Sequence, residues 1–505
     1  MSYVWGRLLI SALVATVYFY ELCAAEAPNY SFMHEATEAP KISYFDYIVI
    51  GGGAAGIPLA TTLSSKYSVL LLERGGSPYG NHNITMLSNI GSYFLDTSPS
   101  SPTQRFVSEG VVNSRARALG GGTCINAGFY SRGEPKFNKE ARLMDESLVR
   151  ESYEWTEKVM VFMPIVTKWQ SVLQAALVEA GVTPDNGQTY DHLIGTKVSG
   201  TIFDPNGTRH TAADLLQYAN PTGLSILVHA TAHKILFKIK GRLRPLAYGV
   251  VFEDSQGNKH RAYLKGGERD EIILSAGALG SPQLLMFSGI GPKEQLDAHK
   301  IKVVLQQPFV GKGMADNPQN SIFIPSPIAV EPSTIHIVGI TRFGSYLEDT
   351  GGFNFIFANH SAYQGFSPQE PEDLRKCVDG IRTIFKTFKT KAYSNYKYAN
   401  MTVKDILDLN MNLQGYLPIK GNNSSLLEKY CKSSVRTMWH YHGGCQIGKV
   451  VDHEYKVFGV DALRVIDIST VLNAPGTNPQ ASVLMLGRYM GVTILNQRIA
   501  SDKAH

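Results

Sequence analysis

The reading of the fold turns on one stretch, DYIVIGGGAAGIPLATTLSSKYSVLLLE, running from Asp46 to Glu73. Asp46 to Ile50 is a near-continuous apolar run, the pattern of a parallel strand buried on both faces. It stops at Gly51, and Gly51, Gly53 and Gly56 then fit G-x-G-x-x-G. The following IPLATTLSSK has the period and composition of a helix, and a second apolar strand, Ser68 to Leu72, ends in Glu73. Each part has a physical task. Gly51 permits a tight turn, Gly53 lets the backbone approach a pyrophosphate, and Gly56 lets the helix pack on the strand. The helix N-terminus turns free amides and a positive dipole end towards the phosphates. Glu73 stands where a carboxylate accepts hydrogen bonds from an adenosine ribose. The unit predicts an α/β, Rossmann-like dinucleotide-binding domain, and by itself it does not choose between FAD and NAD.

Outside this unit, the length of 505 residues is too great for one ordinary core and predicts about two to three domains. With 44% hydrophobic and 18% charged residues the composition is that of a folded globular protein. The 48 basic and 43 acidic residues leave a net charge of only +5, without runs of like charge, which argues against nucleic acid or a polybasic membrane contact and leaves small substrates open. Residues 1–25 read as a secretory signal: Arg7, an apolar stretch from Leu8 to Tyr20, then small residues at Cys23, Ala24 and Ala25. That stretch is shorter than the ~20 residues that span a bilayer, so stable membrane insertion is not expected. Acceptor sequons at Asn29, Asn83, Asn206, Asn359, Asn400, Asn422 and Asn423 would carry glycans in a secreted chain. Of the cysteines, Cys377 and Cys431 lie in helix-like, polar surroundings and could pair in an oxidising compartment. Cys124 and Cys445 read as buried free thiols, and no metal-ligand spacing occurs.

Further glycine-rich segments separate the two dinucleotides. ARALGGGTCINAGFY, Ala116 to Tyr130, contains three consecutive glycines, which carry a large entropy penalty unless the backbone must approach something closely. EIILSAGALGSPQLLMFSGIGP, Glu271 to Pro292, reads as a buried strand, a glycine turn at Gly277 and a short helix capped by Ser281 and Pro282. With VGKGMADNP (Val310 to Pro318), WHYHGGCQIGKVVD (Trp439 to Asp452) and GTNPQAS (Gly476 to Ser482), these resemble, in the same order, the motifs of the glucose-methanol-choline (GMC) oxidoreductases. SSPTQRFVSEGVVNSRARALGGG and GTIFDPNGTRHTAADLLQYA are similar to the plant subgroup that contains HOTHEAD and the mandelonitrile lyases.

The resemblance covers nearly the whole mature chain. It implies an FAD-binding domain assembled from 44–135, 225–318 and 432–500, interleaved with an α+β substrate domain from 136–224 and 319–431 built on an antiparallel sheet. It assigns cofactor contacts to Gly51, Gly53, Gly56, Glu73, Gly121, Gly122, Thr123, Asn126, Gly277, Asp467 and Ser469. Family members that tether FAD covalently use a histidine in the triple-glycine motif; Ile125 stands there, which implies non-covalent FAD.

The resemblance places His440 opposite the flavin and Asn478 as its partner. Oxidising an alcohol removes a hydride and a hydroxyl proton, so a base near neutral pKa is needed, and histidine suits this. Asn478 cannot take a proton, but its amide can orient the developing alkoxide. His442 is read as bonded to backbone. Lyases of the subgroup carry histidine at the position of Asn478 and tyrosine at that of Met438, so the sequence favours redox chemistry on a small-molecule alcohol over hydroxynitrile cleavage. The HOTHEAD branch suggests a long-chain ω-hydroxy fatty acid of the cuticle. Between about 347 and 371 the chain is shorter than the resemblance leads one to expect and reads as a loop, which leaves an inactive secreted paralogue as a further reading.

Overall fold

The computed structural model describes residues 28–94, 96–108, 111–352, 371–413 and 423–502. The account below concerns the unit that begins at Phe32. Its centre is a sheet of six strands, β1 (Met33–Glu35), β2 (Tyr47–Ile50), β3 (Val69–Leu72), β4 (Leu224–Val228), β5 (Glu271–Leu274) and β6 (Leu463–Val465). They lie in the order β1-β4-β3-β2-β5-β6, every pair parallel. Ile48 of β2 stands opposite Leu70 of β3 and Ile272 of β5, which in turn faces Leu463 of β6. Every residue of β2, β3, β5 and β6 is buried. That is why β2 reads as an unbroken apolar run: a parallel sheet is covered on both faces, so neither set of alternating side chains meets water.

One face of the sheet, through Ile48, Ile50, Leu70, Leu72, Ile272 and Leu274, shares a core with Ile235, Val250, Phe252 and Ala262 of a second sheet. That sheet comprises Thr231–Lys238, Leu246–Glu253, Lys259–Leu264 and Ile42–Phe45. Helix α1 (Gly56–Leu63) follows β2 and is buried at all eight positions. Helix α3 (Gln480–Asp502), at the end of the chain, packs on it. Two glycines make that approach possible. A Cβ added to Gly487 would lie 2.2 Å from the Ala55 carbonyl oxygen, and one on Gly491 would lie 2.9 Å from Thr62 Cβ.

The substrate portion is organised by a third sheet, in the order Tyr346–Glu348, Ile337–Ile340, Gly195–Val198 and Asp185–Gln188. The first three strands are antiparallel, as expected, and the last joins in parallel. The helix Lys168–Glu179 packs Trp169, Leu173 and Leu177 against Val198, Ile337 and Leu347 of this sheet. A separate cluster unites the helices Pro371–Lys389, Val403–Leu413 and Asn423–Ser434.

Several expectations need adjustment. The helix after β5 is α2 (Gly277–Phe287), which contains Ser281 and Pro282 rather than starting at them. The Ser281 hydroxyl is not a cap: it accepts a hydrogen bond from the Ala276 amide at 3.1 Å and donates to Asp467 at 2.5 Å. Strands Met33–Glu35 and Ile42–Phe45 start ahead of residue 44. The strand Pro318–Asn320 runs across the expected boundary at 318/319 and pairs with Val435–Thr437, because β-pairing there follows hydrogen-bond need rather than sequence proximity. Within 347–371, Tyr346–Glu348 is a strand and Gly351 bridges to Ser333, so the stretch is not all loop. Residues 353–370, with Asn359, lie outside the described residues, as does Asn422.

Cys377 and Cys431 form a disulfide with a Cα–Cα distance of 6.1 Å. Both sit in helices, as read, but their surroundings are apolar: Cys431 is fully buried among Ile381, Leu407 and Tyr430. Cys124 and Cys445 are free and buried. The bridge closes a loop of 54 residues, for which chain entropy sets an upper value of about 4 kcal/mol. Cys431→Ser is therefore expected to lower stability to denaturant by about 2–4 kcal/mol relative to the oxidised parent. Linked Cys377 and Cys431 peptides should appear in a non-reducing digest, and separate thiol-bearing peptides would contradict the pairing.

Candidate active site

Three backbone loops meet at the C-terminal ends of the central strands. Gly51 has φ +108°, and a Cβ there would lie 2.3 Å from the Ser275 carbonyl oxygen; one on Gly56 would lie 1.9 Å from the oxygen of Gly51. The turn after β2 is thus pressed against the end of β5, which only glycine allows. Gly121, at φ +58°, would bring a Cβ to 2.7 Å from Gly53 Cα, and the Gly120 amide donates to the Gly52 carbonyl at 2.7 Å. The assembly fits a dinucleotide. Helix α1 has no side-chain N-cap; its Ile57 and Leu59 amides donate to the Gly53 and Ala55 carbonyls, and the positive end of its dipole faces the glycine turn. Around added methyls at Gly122 and Gly277 there is open space. The sequence-assigned glycines are therefore brought together as one cradle.

Glu73 is 6% exposed and faces this turn. Its Oε2 accepts from the Gly52 amide at 2.9 Å and its Oε1 from the Gly75 amide at 2.7 Å. Burial raises its pKa while those amides oppose the rise. Each oxygen keeps a further lone pair for a ribose hydroxyl.

Thr123 and Asn126 are held by the protein. The Thr123 hydroxyl donates to the Gly120 carbonyl at 2.7 Å and accepts from the Ala212 amide at 2.9 Å. The Asn126 amide donates to Gln480 at 2.7 Å, at the start of α3. Arg209, 3% exposed, donates to the Thr123 carbonyl and to Asn126 Oδ1 and carbonyl, at 3.2, 2.8 and 2.8 Å. These side chains shape the loop. Asp467 plays the same part on the other side: its Oδ2 accepts from the Gly277 amide at 2.9 Å and its Oδ1 from the Ser469 amide at 2.7 Å. The Ser469 hydroxyl is fully buried, beside the side chains of Asp467 and Cys445.

His440 follows the strand Val435–Thr437 on a sharply turned arm. Asp316 accepts from the His440 amide at 2.8 Å with one oxygen and from the Thr437 hydroxyl with the other. Trp439, at φ +56°, carries its ring against Phe94 with centroids 4.7 Å apart. A Cβ on Gly443 would lie 2.2 Å from the Gly313 carbonyl oxygen, so the HGG turn fits only against the GKG turn. His442 Nδ1 lies 3.1 Å from the His440 carbonyl oxygen and donates to it, the backbone bond read for it. Burial, reinforced by His442, lowers the His440 pKa to about 4, so the ring is neutral at pH 7. The Asn317 amide nitrogen lies 3.2 Å from His440 Nδ1 and donates to it, so the neutral ring carries its proton on Nε2 in this arrangement; turning the amide over, oxygen to Nδ1–H, gives the other tautomer. Asn478 lies just ahead of α3, and its side chain lies beside Glu348, whose pKa burial raises to about 7.

Sequence reasoning missed Arg209, Asp316, Asn317 and Glu348. The first three stand in quoted motifs, where a charged or amide residue among glycines was the available signal. Glu348 opens the stretch read as loop and carried none.

Profiles described as GMC oxidoreductase match residues 45–319 and 367–487. The chain belongs to the GMC oxidoreductase family. As such it is FAD-dependent. Protein HOTHEAD of Arabidopsis thaliana is 45% identical to it, over 91% of this chain and 89% of that one. Sinalpyl alcohol oxidase Nec3 of Nesocodon mauritianus is 40% identical over 95% and 93%, and an (R)-mandelonitrile lyase-like protein of Arabidopsis thaliana 39% over 93% and 93%. A solved formate oxidase shares the fold, with a TM-score of 0.72 at 17% identity, over 91% of this chain and 99% of that one. The HOTHEAD alignment runs over 535 positions, more than the 505 residues of this GMC oxidoreductase, so that relative carries residues this chain lacks.

Two outcomes follow from the geometry. Gly121→Ala should yield protein with little or no bound flavin, read as the ratio of flavin absorbance to protein absorbance, since its methyl would enter the Gly53 backbone; wild-type loading would show that the loops are not in contact. His440 should remain neutral from about pH 8 to about pH 5 and take its proton only near pH 4, because a depressed histidine pKa favours the free base. Ring NMR of the holoprotein, assigned with His440→Ala, checks this, and a transition near ~6.5 would contradict it.

Proposed function

We propose that this GMC oxidoreductase oxidises a small-molecule alcohol to the carbonyl compound, with His440 as base and Asn478 as orienter. The observation that supports this reading is a neutral imidazole, held through Asn317 and the Asp316 clamp, on the arm that packs against the GKG turn. Bound FAD supplies the acceptor for the hydride that leaves the carbinol carbon. His440 takes the hydroxyl proton at Nε2 once the Asn317 amide has turned its oxygen to Nδ1–H, and the O–H electron pair becomes the second bond of the carbonyl. Asn478 donates an amide hydrogen to the oxygen as its negative charge grows, which lowers the barrier only if the amide is already oriented. We read the flavin as non-covalent, since the side chain at the tethering position, Ile125, packs with Ile84, Ala118 and Cys124.

We also read the chain as secreted through its N-terminal signal. The Cys377–Cys431 bridge supports an oxidising compartment, and Asn29, Asn83, Asn206 and Asn400 are exposed, as glycan acceptors must be.

His440→Ala should keep its flavin and reduce it at least about a hundredfold more slowly under anaerobic alcohol, while His442→Ala loses less. Equal loss in both variants would remove the base assignment. The panel should contain benzylic alcohols, ω-hydroxy fatty acids and mandelonitrile. Cyanide release well above the His440→Ala background, with no alcohol bleaching the flavin, would replace the oxidase reading by the lyase one; neither reaction from a flavin-loaded protein would leave an inactive paralogue.

A further inference from the structure

The wall beside Asn478 contains a group of buried polar side chains that the mechanism does not use. They come from separate elements: Ser131 after the strand Phe129–Tyr130, His192 ahead of Gly195–Val198, Tyr346 and Glu348 on the edge strand of the third sheet, and Thr477 next to Asn478 itself. The His192 ring lies 6.1 Å from that of Tyr346, and its Cε1 would meet a Cβ on Gly476 at 3.3 Å, so the group surrounds the segment Gly476–Asn478. The Tyr346 hydroxyl lies beside those of Thr477 and Ser131.

Hydrogen bonding is incomplete here. Thr477 is only 5% exposed. Its hydroxyl and that of Tyr346 lie beside one another and Ser131 without making a hydrogen bond of good geometry, and His192 Nδ1 has no partner. Buried polar groups are nearly always satisfied, and several orphans around one spot mark the place of a ligand atom. The ligand's charge can be read as well. Burial pushes Glu348 up to about 7, and holds His192 down at about 4 with help from the Lys197 charge. Lys197 is itself fully buried, donating to Ser131 Oγ at 2.8 Å and the Asp191 carbonyl at 2.6 Å. Burial also pulls Lys197 down to about 7, so neither it nor Glu348 offers a full charge to a carboxylate or an ammonium. A neutral hydroxyl, both donor and acceptor, suits Tyr346, Thr477 and His192 together.

We infer that Tyr346, Thr477 and His192 form a polar subsite beside Asn478 that selects alcohols carrying a second, uncharged hydroxyl close to the carbinol, a diol or polyol, over alkanols and long-chain ω-hydroxy acids. This rests on the alcohol-oxidation reading. A site built to bond a hydroxyl discriminates strongly against the analogue that lacks it, because its own groups are then left unpaired.

The test is anaerobic flavin reduction of the wild-type holoprotein by a series of terminal diols and by alkanols of equal chain length. The expected result is a reduction-derived Kd at least about tenfold lower for the best diol than for its alkanol. Tyr346→Phe should shrink that ratio to about twofold or less. His192→Leu serves as the second variant if Tyr346→Phe loses flavin. Equal affinities for diol and alkanol, or a ratio unchanged in the variants, would overturn the subsite and mark the orphaned groups as water-filled. If no alcohol bleaches the flavin, the oxidation reading fails on its own. The subsite is then decided by the change in flavin absorbance on titrating the same diols and alkanols: a tenfold preference for diols upholds it, and its absence refutes it.

Discussion

Everything at this site depends on backbones touching where no side chain can stand. Gly51 against Ser275, Gly56 against Gly51 and Gly121 against Gly53 bring three loops, distant in sequence, to within a bond's width of steric exclusion. Such contact gives little energy by itself and costs glycine entropy at every position. What it provides is shape: a rim of amides and open Cα faces with no methyl in the way, which a dinucleotide can enter closely. The side chains around it are fixed in consequence. Glu73, Asp467 and Arg209 each turn their polar atoms inward to hold a loop rather than outward to water.

The reactive arm depends on the same principle with charge added. His440 is kept neutral by burial, and a buried neutral base remains available only if something fixes its proton on the right nitrogen. On the segment that the HGG turn packs against, Asn317 bonds the ring at Nδ1 and Asp316 holds the His440 backbone, so the amide of Asn317 decides which nitrogen carries the proton. Across the site Asn478 lies beside Glu348, an acid whose ionisation is suppressed by burial. In the proposed reaction one side handles a proton and the other presents a dipole, and neither needs a permanent charge.

The parallel sheet was legible because a strand covered on both faces cannot alternate, so β2, β3 and β5 announce themselves as apolar runs. The cradle was legible because consecutive glycines have few other uses. The start of α2 was not: Ser281 and Pro282 have the chemistry of a helix cap, but Asp467, far along the chain, takes the Ser281 hydroxyl. Nor was β1 or the pairing of Pro318–Asn320 with Val435–Thr437, short strands that exist only because a partner lies beside them. Glu348 and Tyr346 were invisible for the same reason. Their surroundings are made by chain segments such as Ser131 and Thr477 that no local pattern links to them.

Helix α3 and β6 carry one more implication, for the order in which the molecule can be made. Gly487 and Gly491 seat the last helix on α1, and Asp467 closes the turn at Gly277 from a strand that is itself the edge of the central sheet. A ribosome releases the glycine turn at Gly51 long before any of these. The nascent chain therefore holds an unfinished pocket, with apolar strand faces uncovered, until β6 and α3 have been made. Completion of the cradle is in this sense a late event, coupled to the synthesis of α3 rather than to the appearance of the fingerprint that first identifies the fold.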